Sequence, residues 1–149
     1  VFKVQIDTDI HIGAPPSRVW EVLSDLASYE EWNPMIRSAA GTLAAGEKLD
    51  LHFEPAGQKG HDFRPKLLVA EPGRELRWLG IPRFPDLFDS QHYFILEEQP
   101  GGKTHLRHGM SFYGLLIPLA GKRLDATTRG PFDRMNAALK ERAESRHTR

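Results

Sequence analysis

The apolar positions of this chain change period twice. In "FKVQIDTDIHIG", Val4, Ile6, Ile10 and Ile12 share one parity. That predicts a long first strand, irregular around Asp7 to Asp9. In "APPSRVWEVLSDLASYEEW", Val19, Val22, Leu23 and Leu26 recur at helical spacing behind Pro15 and Pro16. Prolines suit a helix entrance, where the missing N–H has no intrahelical partner to lose. Ser24-Asp25 marks a break, a second short helix runs through "LASYEEW", and Pro34 ends it, because the residue before a proline disfavours helix. Strand-like runs then follow up to residue 113: "IRSAAGT", "EKLDLHFEP", "HDFRPKLLVAE", "ELRWLGIP", "LFDSQHYFILEE" and "KTHLRHGMSFY". Turn residues at "AAGE", "PAGQKG", "EPGRE" and "QPGGK" separate them. After "LLIPLAGK" the helical period returns, with Leu124, Thr128, Phe132, Met135 and Leu139 on one side and Arg129, Asp133, Arg134, Lys140 and Glu141 on the other. Gly130-Pro131 inside this pattern predicts a kink or local distortion.

The order is one strand, two short helices, six strands and one long helix, an α+β arrangement. A meandering antiparallel sheet of seven strands has one face to cover, and the long amphipathic helix is the one element large enough to cover it. The chain has 149 residues, which predicts a single domain over 1–149 with a sizeable core.

Charge and composition narrow the function classes. Lys plus Arg and Asp plus Glu each number 20, so no overall field draws the chain to nucleic acid or an anionic membrane. The terminal "KERAESRHTR" reads as a solvated, frayed helix end. There is no cysteine, which removes disulfides, thiolate metal sites and a cysteine nucleophile, and fits a reducing cytoplasm. No stretch approaches the ~20 apolar residues of a membrane span. The amino terminus, which opens at Val1, lacks a basic-then-apolar signal pattern.

The candidate chemistry centres on "SQHYFILEEQPGGKTHLRHGMSFYG". A simple hairpin with Leu96 opposite Thr104 sets Phe94 against Leu106, His92 against His108, Ser90 against Met110 and Phe88 against Phe112. Phe88, Phe94, Leu96, Leu106, Met110 and Phe112 then share a face with both histidines. Asp89, Gln91, Tyr93, Glu97, His105, Arg107 and Ser111 form the opposite, wet face. The histidines become cross-strand neighbours with Cβ atoms ~5 Å apart. One ring can donate to the other without a charge, and burial opposes protonation. Four roles stay open for the pair: a structural hydrogen bond, a polar grip for a ligand carbonyl or hydroxyl, a metal site, and acid/base chemistry. Two ligands fall short of a zinc set, and no carboxylate shares the face.

Other positions read more plainly. Leu49, Leu51 and Phe53 face inward, and His52 and Glu54 face solvent. Phe63, Pro65, Leu67 and Val69 face inward, with the proline marking an edge or a bulge. Leu76 and Trp78 point together; the indole belongs to the core or to a cavity wall. "GIPRFPDLFD" forms a packed connection or a cavity rim, and Trp32 in "YEEWNP" anchors its helix or closes a mouth. No Gly-x-Ser-x-Gly, phosphate loop, dinucleotide fingerprint or His-Glu-x-x-His is present.

Four segments carry a resemblance: "APPSRVWEVLSDLASYEEWNP", "EPGRELRW", "GGKTHLRHGMSFYGLLIPL" and "GPFDRMNAALKERAE". In this order, over nearly the whole chain, they resemble the bacterial polyketide cyclase/dehydrase group of the START-like, helix-grip (SRPBCC) superfamily. The resemblance implies a strongly curved antiparallel sheet wrapped around the C-terminal helix, with an apolar cavity between them. Members include lipid carriers, hormone receptors, aromatase/cyclases, oxygenase domains and chaperone activators, so fold does not choose the function. Related sequences often place an acidic residue on the last strand where this chain has Met110, which weighs against a shared acid/base mechanism.

The expected function is binding of a hydrophobic or aromatic small molecule, lipid or polyketide-like, without cofactor or metal. The expected lining is Trp78, His92, Phe94, Leu106, His108, Met110 and Phe112 from the sheet, with Leu124, Thr128, Phe132 and Met135 from the helix. The alternatives are a polyketide cyclase or dehydratase, and a chaperone- or partner-binding module with a filled interior and an exposed apolar patch. Whether turnover occurs, on which residues, and in what oligomeric state stays open.

Overall fold

In the computed structural model, residues 2–81 and 89–146 are described. The elements run β1 (Phe2–Ile12), α1 (Pro16–Ser24), a 3₁₀ turn (Leu26–Ser28), α2 (Tyr29–Trp32), β2 (Ile36–Ala40), β3 (Asp50–Phe53), β4 (His61–Phe63), β5 (Lys66–Glu71), β6 (Glu75–Gly80), β7 (Asp89–Gln99), β8 (Lys103–Gly114) and α3 (Ile117–Arg146). This is the expected helix-grip architecture, with one strand run divided. The segment 61–71 breaks at Arg64-Pro65, because Pro65 has no N–H to extend a ladder. Its carbonyl instead accepts the Leu49 N–H at 3.0 Å.

The strands form a five-stranded antiparallel sheet ordered β1-β8-β7-β6-β5 and a three-stranded sheet ordered β2-β3-β4. A Lys48–Lys66 bridge and the bonds Gly46 N–H to Leu67 O and Leu67 N–H to Glu47 O join the two where a single seven-stranded sheet was expected. The ladder of β1 on β8 runs unbroken from Phe2–Gly114 to Ile12–Thr104, so the irregularity expected near Asp7 is absent. What interrupts the apolar series there is Thr8, an inward polar residue that is 5% exposed.

The β7–β8 hairpin differs from the simple pairing by two positions. Leu96 faces Leu106, and the ladder extends to Gln99–Lys103 around Pro100, Gly101 and Gly102. Gly101 and Gly102 hold φ of 85° and 73°, left-handed values that glycine adopts without strain. A shift of two keeps every side chain on its expected face. The outer face is less wet than its composition suggests. Tyr93 is buried there beneath the Arg77 guanidinium, which lies 4.8 Å from the ring centre. Its hydroxyl donates to Asp7 at 2.7 Å and accepts from Gln5 at 3.0 Å.

One core joins the layers: Val19 and Leu23 of α1, Leu67, Leu76, Trp78, Phe94 and Leu106 of the sheet, and Phe132, Met135, Leu139 and Ala143 of α3. Helix α3 continues through Pro131. The C-terminal turns are docked where a frayed end was expected. Arg18 donates to the carbonyls of Arg142 and Ala143, Arg142 pairs with Glu31 at 2.8 Å, and Glu144 accepts the Gly13 N–H. Among the described residues no helix is long and apolar enough to cross a membrane.

Candidate functional site

The sheet register sorts the inner face into rows. Gly80, Ser90, Phe112 and Val4 form one, then Trp78, His92, Met110 and Ile6, then Leu76, Phe94, His108 and Thr8. The first row is small at Gly80 and Ser90, and there the interior opens. The third is filled solidly by buried side chains. His92 and His108 therefore stand on successive rows rather than opposite each other, one at the edge of the open space and one inside the packed core.

The open space is a cavity of about 480 Å³. Ser90, His92, Met110 and Phe112 of the sheet, Phe53, His61 and Phe63 of β3 and β4, and Leu124, Thr128, Pro131 and Phe132 of α3 line it, together with Met35, Pro55, Gln58, Gly80, Ile81 and Thr127. None of these described wall residues is Asp, Glu, Lys or Arg. At the mouth, Gln58 of the β3–β4 loop donates to the Thr127 carbonyl at 3.4 Å. That carbonyl is four residues before Pro131, whose missing N–H would otherwise be its helical partner.

The two histidines belong to a buried hydrogen-bonded chain that runs from His92 at the wall into the core. Their Nε2 atoms are 2.8 Å apart, and His108 Nδ1 is 2.7 Å from Asn136 Oδ1. Asn136 Nδ2 donates to Thr8 Oγ1 at 2.8 Å, and Thr8 Oγ1 donates to the His108 carbonyl at 2.7 Å. The His108 ring is stacked between Phe132, with centroids 4.0 Å apart, and Phe94, at 4.3 Å. His92 packs against Trp78 at 4.7 Å. Burial, with the neighbouring His108 adding to it, holds His92 well below the usual 6.5. Burial lowers His108 to about 3, against a smaller opposing effect of Asn136. Both rings are neutral at physiological pH.

Of the eleven residues expected to line a cavity, the structure brings His92, Met110, Phe112, Leu124, Thr128 and Phe132 together on the wall. Trp78, Phe94, Leu106, His108 and Met135 lie in the packed layer behind it. Asn136 and Thr8 were not singled out, although each sits in phase with a buried stripe: Asn136 follows Phe132 by four, and Thr8 shares the parity of Ile6 and Ile10. The β3–β4 contribution was foreshadowed by the inward parity of Phe53 and Phe63. Residues 82–88 of the "GIPRFPDLFD" segment, and with them Phe88, lie outside the described residues. Trp32 packs edge-on against Tyr29, at 5.3 Å, away from the cavity wall.

Two further polar clusters lie on the outer surface. His52 sits between Asp62 Oδ1 at 2.8 Å and Glu54 Oε1 at 2.9 Å, whose hydrogen bonds raise its pKa. Asp9, His11 and His105 place three potential metal-ligand atoms within 4.8 Å of one another, and His105 is already bonded to Asp9 at 2.8 Å.

With this geometry in hand, comparison with known proteins places the chain. The model of the family described as "Polyketide cyclase / dehydrase and lipid transport" matches residues 3–144. The chain belongs to this family. No protein of curated function matches it in sequence. Among solved structures, the Zhui aromatase/cyclase of a Streptomyces species is similar at 17% identity and a TM-score of 0.78, covering 97% of this chain and 96% of that one. A START superfamily protein of Mycobacterium smegmatis shares 19% identity at a TM-score of 0.73, covering 95% and 97%. A point mutant of norcoclaurine synthase from Thalictrum flavum, in complex with a transition state analogue, shares 14% identity at 0.73, covering 97% and 96%. At these identities the likeness establishes the START-like (SRPBCC) fold, and the function of this family member rests on its own site.

Proposed function

We propose that this chain, acting as a single START-like domain over residues 1–149, binds a hydrophobic or aromatic small molecule, lipid or polyketide-like, between sheet and α3. The observation that carries this reading is an apolar hollow of about 480 Å³ with a neutral imidazole, His92, in its wall. That volume lies within the range of small-molecule sites, roughly 300–1,000 Å³. Affinity comes from burial: each 100 Å² of apolar ligand surface removed from water contributes about 2.5 kcal/mol. Orientation comes from the few polar wall groups, with His92 first among them. The five predicted lining residues behind the wall act as its support, holding the His92 ring in place through His108 and Trp78.

Native mass spectrometry of freshly purified protein, with solvent extraction, is expected to find a co-purifying apolar compound. Titration with pyrene is expected to saturate at one site, and Leu124→Trp, which fills the hollow, is expected to abolish it. Failure of pyrene to bind, or undiminished binding to Leu124→Trp, refutes the reading.

A second reading, a polyketide cyclase or dehydratase, is favoured by His61, whose exposed ring stacks on Phe53 at 5.7 Å and reaches the same wall. Confinement of a reactive chain can by itself accelerate ring closure. The partner-module alternative has an exposed apolar group in Leu115, Leu116 and Leu119, but the hollow interior runs against its other requirement, a filled core.

A further inference from the structure

The hydrogen bonds around His108 run in a determined direction. Thr8 Oγ1 spends its proton on the His108 carbonyl, so it meets Asn136 as an acceptor and takes the Nδ2 proton. This turns Asn136 Oδ1 toward His108 Nδ1, 2.7 Å away. An amide oxygen only accepts, so His108 carries its proton on Nδ1 and a bare lone pair on Nε2. His92 Nε2, 2.8 Å from that lone pair, is therefore the donor. Its other nitrogen, Nδ1, is left as an acceptor with no partner among the described residues, in a ring 1% exposed that belongs to the cavity wall. Running the chain backwards would draw the Thr8 hydroxyl from the His108 carbonyl to Asn136, leaving three bonds in place of four. It would also strand a buried N–H, which native structures tolerate less well than an under-used acceptor.

We infer that the hollow selects neutral guests carrying a hydroxyl or N–H, which donates to His92 Nδ1, and discriminates against guests whose polar head is an anion. This rests on the hollow being a binding site, as proposed above, and adds the chemical class of what enters it. An ionised carboxylate would meet a lone pair instead of a proton, and no lysine or arginine stands on the described wall to receive it. A ketone or ether can only accept, so it leaves His92 Nδ1 unsatisfied. The buried polar chain thus acts as a reader of donors.

The test uses four fluorescent guests of one shape on the full chain at neutral pH: pyrene, hydroxypyrene, methoxypyrene and pyrene carboxylate. Hydroxypyrene is expected to bind three- to tenfold more tightly than methoxypyrene, roughly the value of one net hydrogen bond, with the carboxylate weakest. In His92→Phe, the ratio of hydroxypyrene to methoxypyrene affinity is expected to fall to about one, whatever the change in pyrene binding itself. If no member of the set binds, pyrene included, the hollow is not a binding site and both readings fall. If all four bind equally, or the carboxylate binds best, the donor rule alone is overturned. Should His92→Phe fail to fold, nitrogen NMR of the wild-type imidazoles decides the matter. An unprotonated Nδ1 on His92 beside a protonated Nδ1 on His108 is expected, and a proton on His92 Nδ1 overturns the inference.

Discussion

Acidification puts the buried imidazole pair under direct stress. In the unfolded chain each histidine titrates near its ordinary 6.5, whereas burial holds His108 at about 3 and His92 well below 6.5 in the folded state. Below about pH 6.5 the unfolded chain therefore binds protons that the native protein refuses, and stability falls as pH falls. The stabilisation is fully present above about pH 6.5 and is lost progressively down to the folded pKa. Between about pH 7.5 and pH 5, His108 alone should withdraw about 2 kcal/mol, and His92 acts in the same direction. His108 is 0% and His92 1% exposed, so solvent screening does not reduce these effects much. Urea unfolding at a series of pH values, wild type beside His92→Phe, isolates the effect. Surface carboxylates and the raised His52, whose contribution has the opposite sign, are common to both proteins and cancel in the comparison. The wild-type curve should fall more steeply than that of His92→Phe below about pH 6.5, by at most about one proton, or about 1.4 kcal/mol per pH unit. Equal slopes, or a wild-type stability that stays flat from about pH 6.5 to pH 5, would show that the rings are not held neutral in the core.

Three further perturbations probe the surroundings of the site. Gly109→Ala should destabilise by about 1–3 kcal/mol, read as a lower urea midpoint, because its Cβ would come within 2.5 Å of the Tyr93 hydroxyl and 2.7 Å of the Ile6 carbonyl. Asn136→Leu strands the His108 Nδ1–H and removes a donor from Thr8, and should cost about 2–4 kcal/mol by the same assay. Pro131→Ala returns an N–H to the Thr127 carbonyl, so it should raise the melting temperature while loosening Gln58 from α3. Faster limited proteolysis within residues 54–60 would register that loosening, and an unchanged cleavage rate would count against the latch.

Parity was the legible part of this fold. Alternation at Val4, Ile6, Ile10 and Ile12 gave β1, the inner faces of β7 and β8 came out correctly, and the recurrence of Leu124, Thr128, Phe132 and Met135 gave α3. Register was not legible, because a displacement of two positions leaves every face assignment intact. Nothing in "EEQPGGK" distinguishes a pairing of Leu96 with Thr104 from the observed pairing with Leu106. That displacement decides the site. Direct opposition would have set both imidazoles on one row at one depth, whereas the observed register puts His92 at the wall and His108 in the core. The partners Asn136 and Thr8 were hidden for a related reason. Polar residues in phase with a buried stripe look like errors in the pattern until the chain that satisfies them is seen.

The hollow opens to solvent, so it is filled by water or by a guest rather than standing as a dry void. Its walls offer water little, since the described lining has no Asp, Glu, Lys or Arg and is dominated by Phe53, Phe63, Met110, Phe112, Leu124 and Phe132. Water against such walls is readily displaced by an apolar body, which supplies affinity without selecting among bodies of similar size. Selection then falls to the edge of the filled rows, where His92 stands. Gly80 helps keep that edge open: a Cβ there would lie 2.6 Å from Phe63 and 2.9 Å from the Ser90 hydroxyl, forcing the β4 side of the wall away from the sheet. The same register that leaves small residues on the outermost row places a neutral imidazole at the inner limit of the space they open, so cavity and polar reader arise from one structural cause.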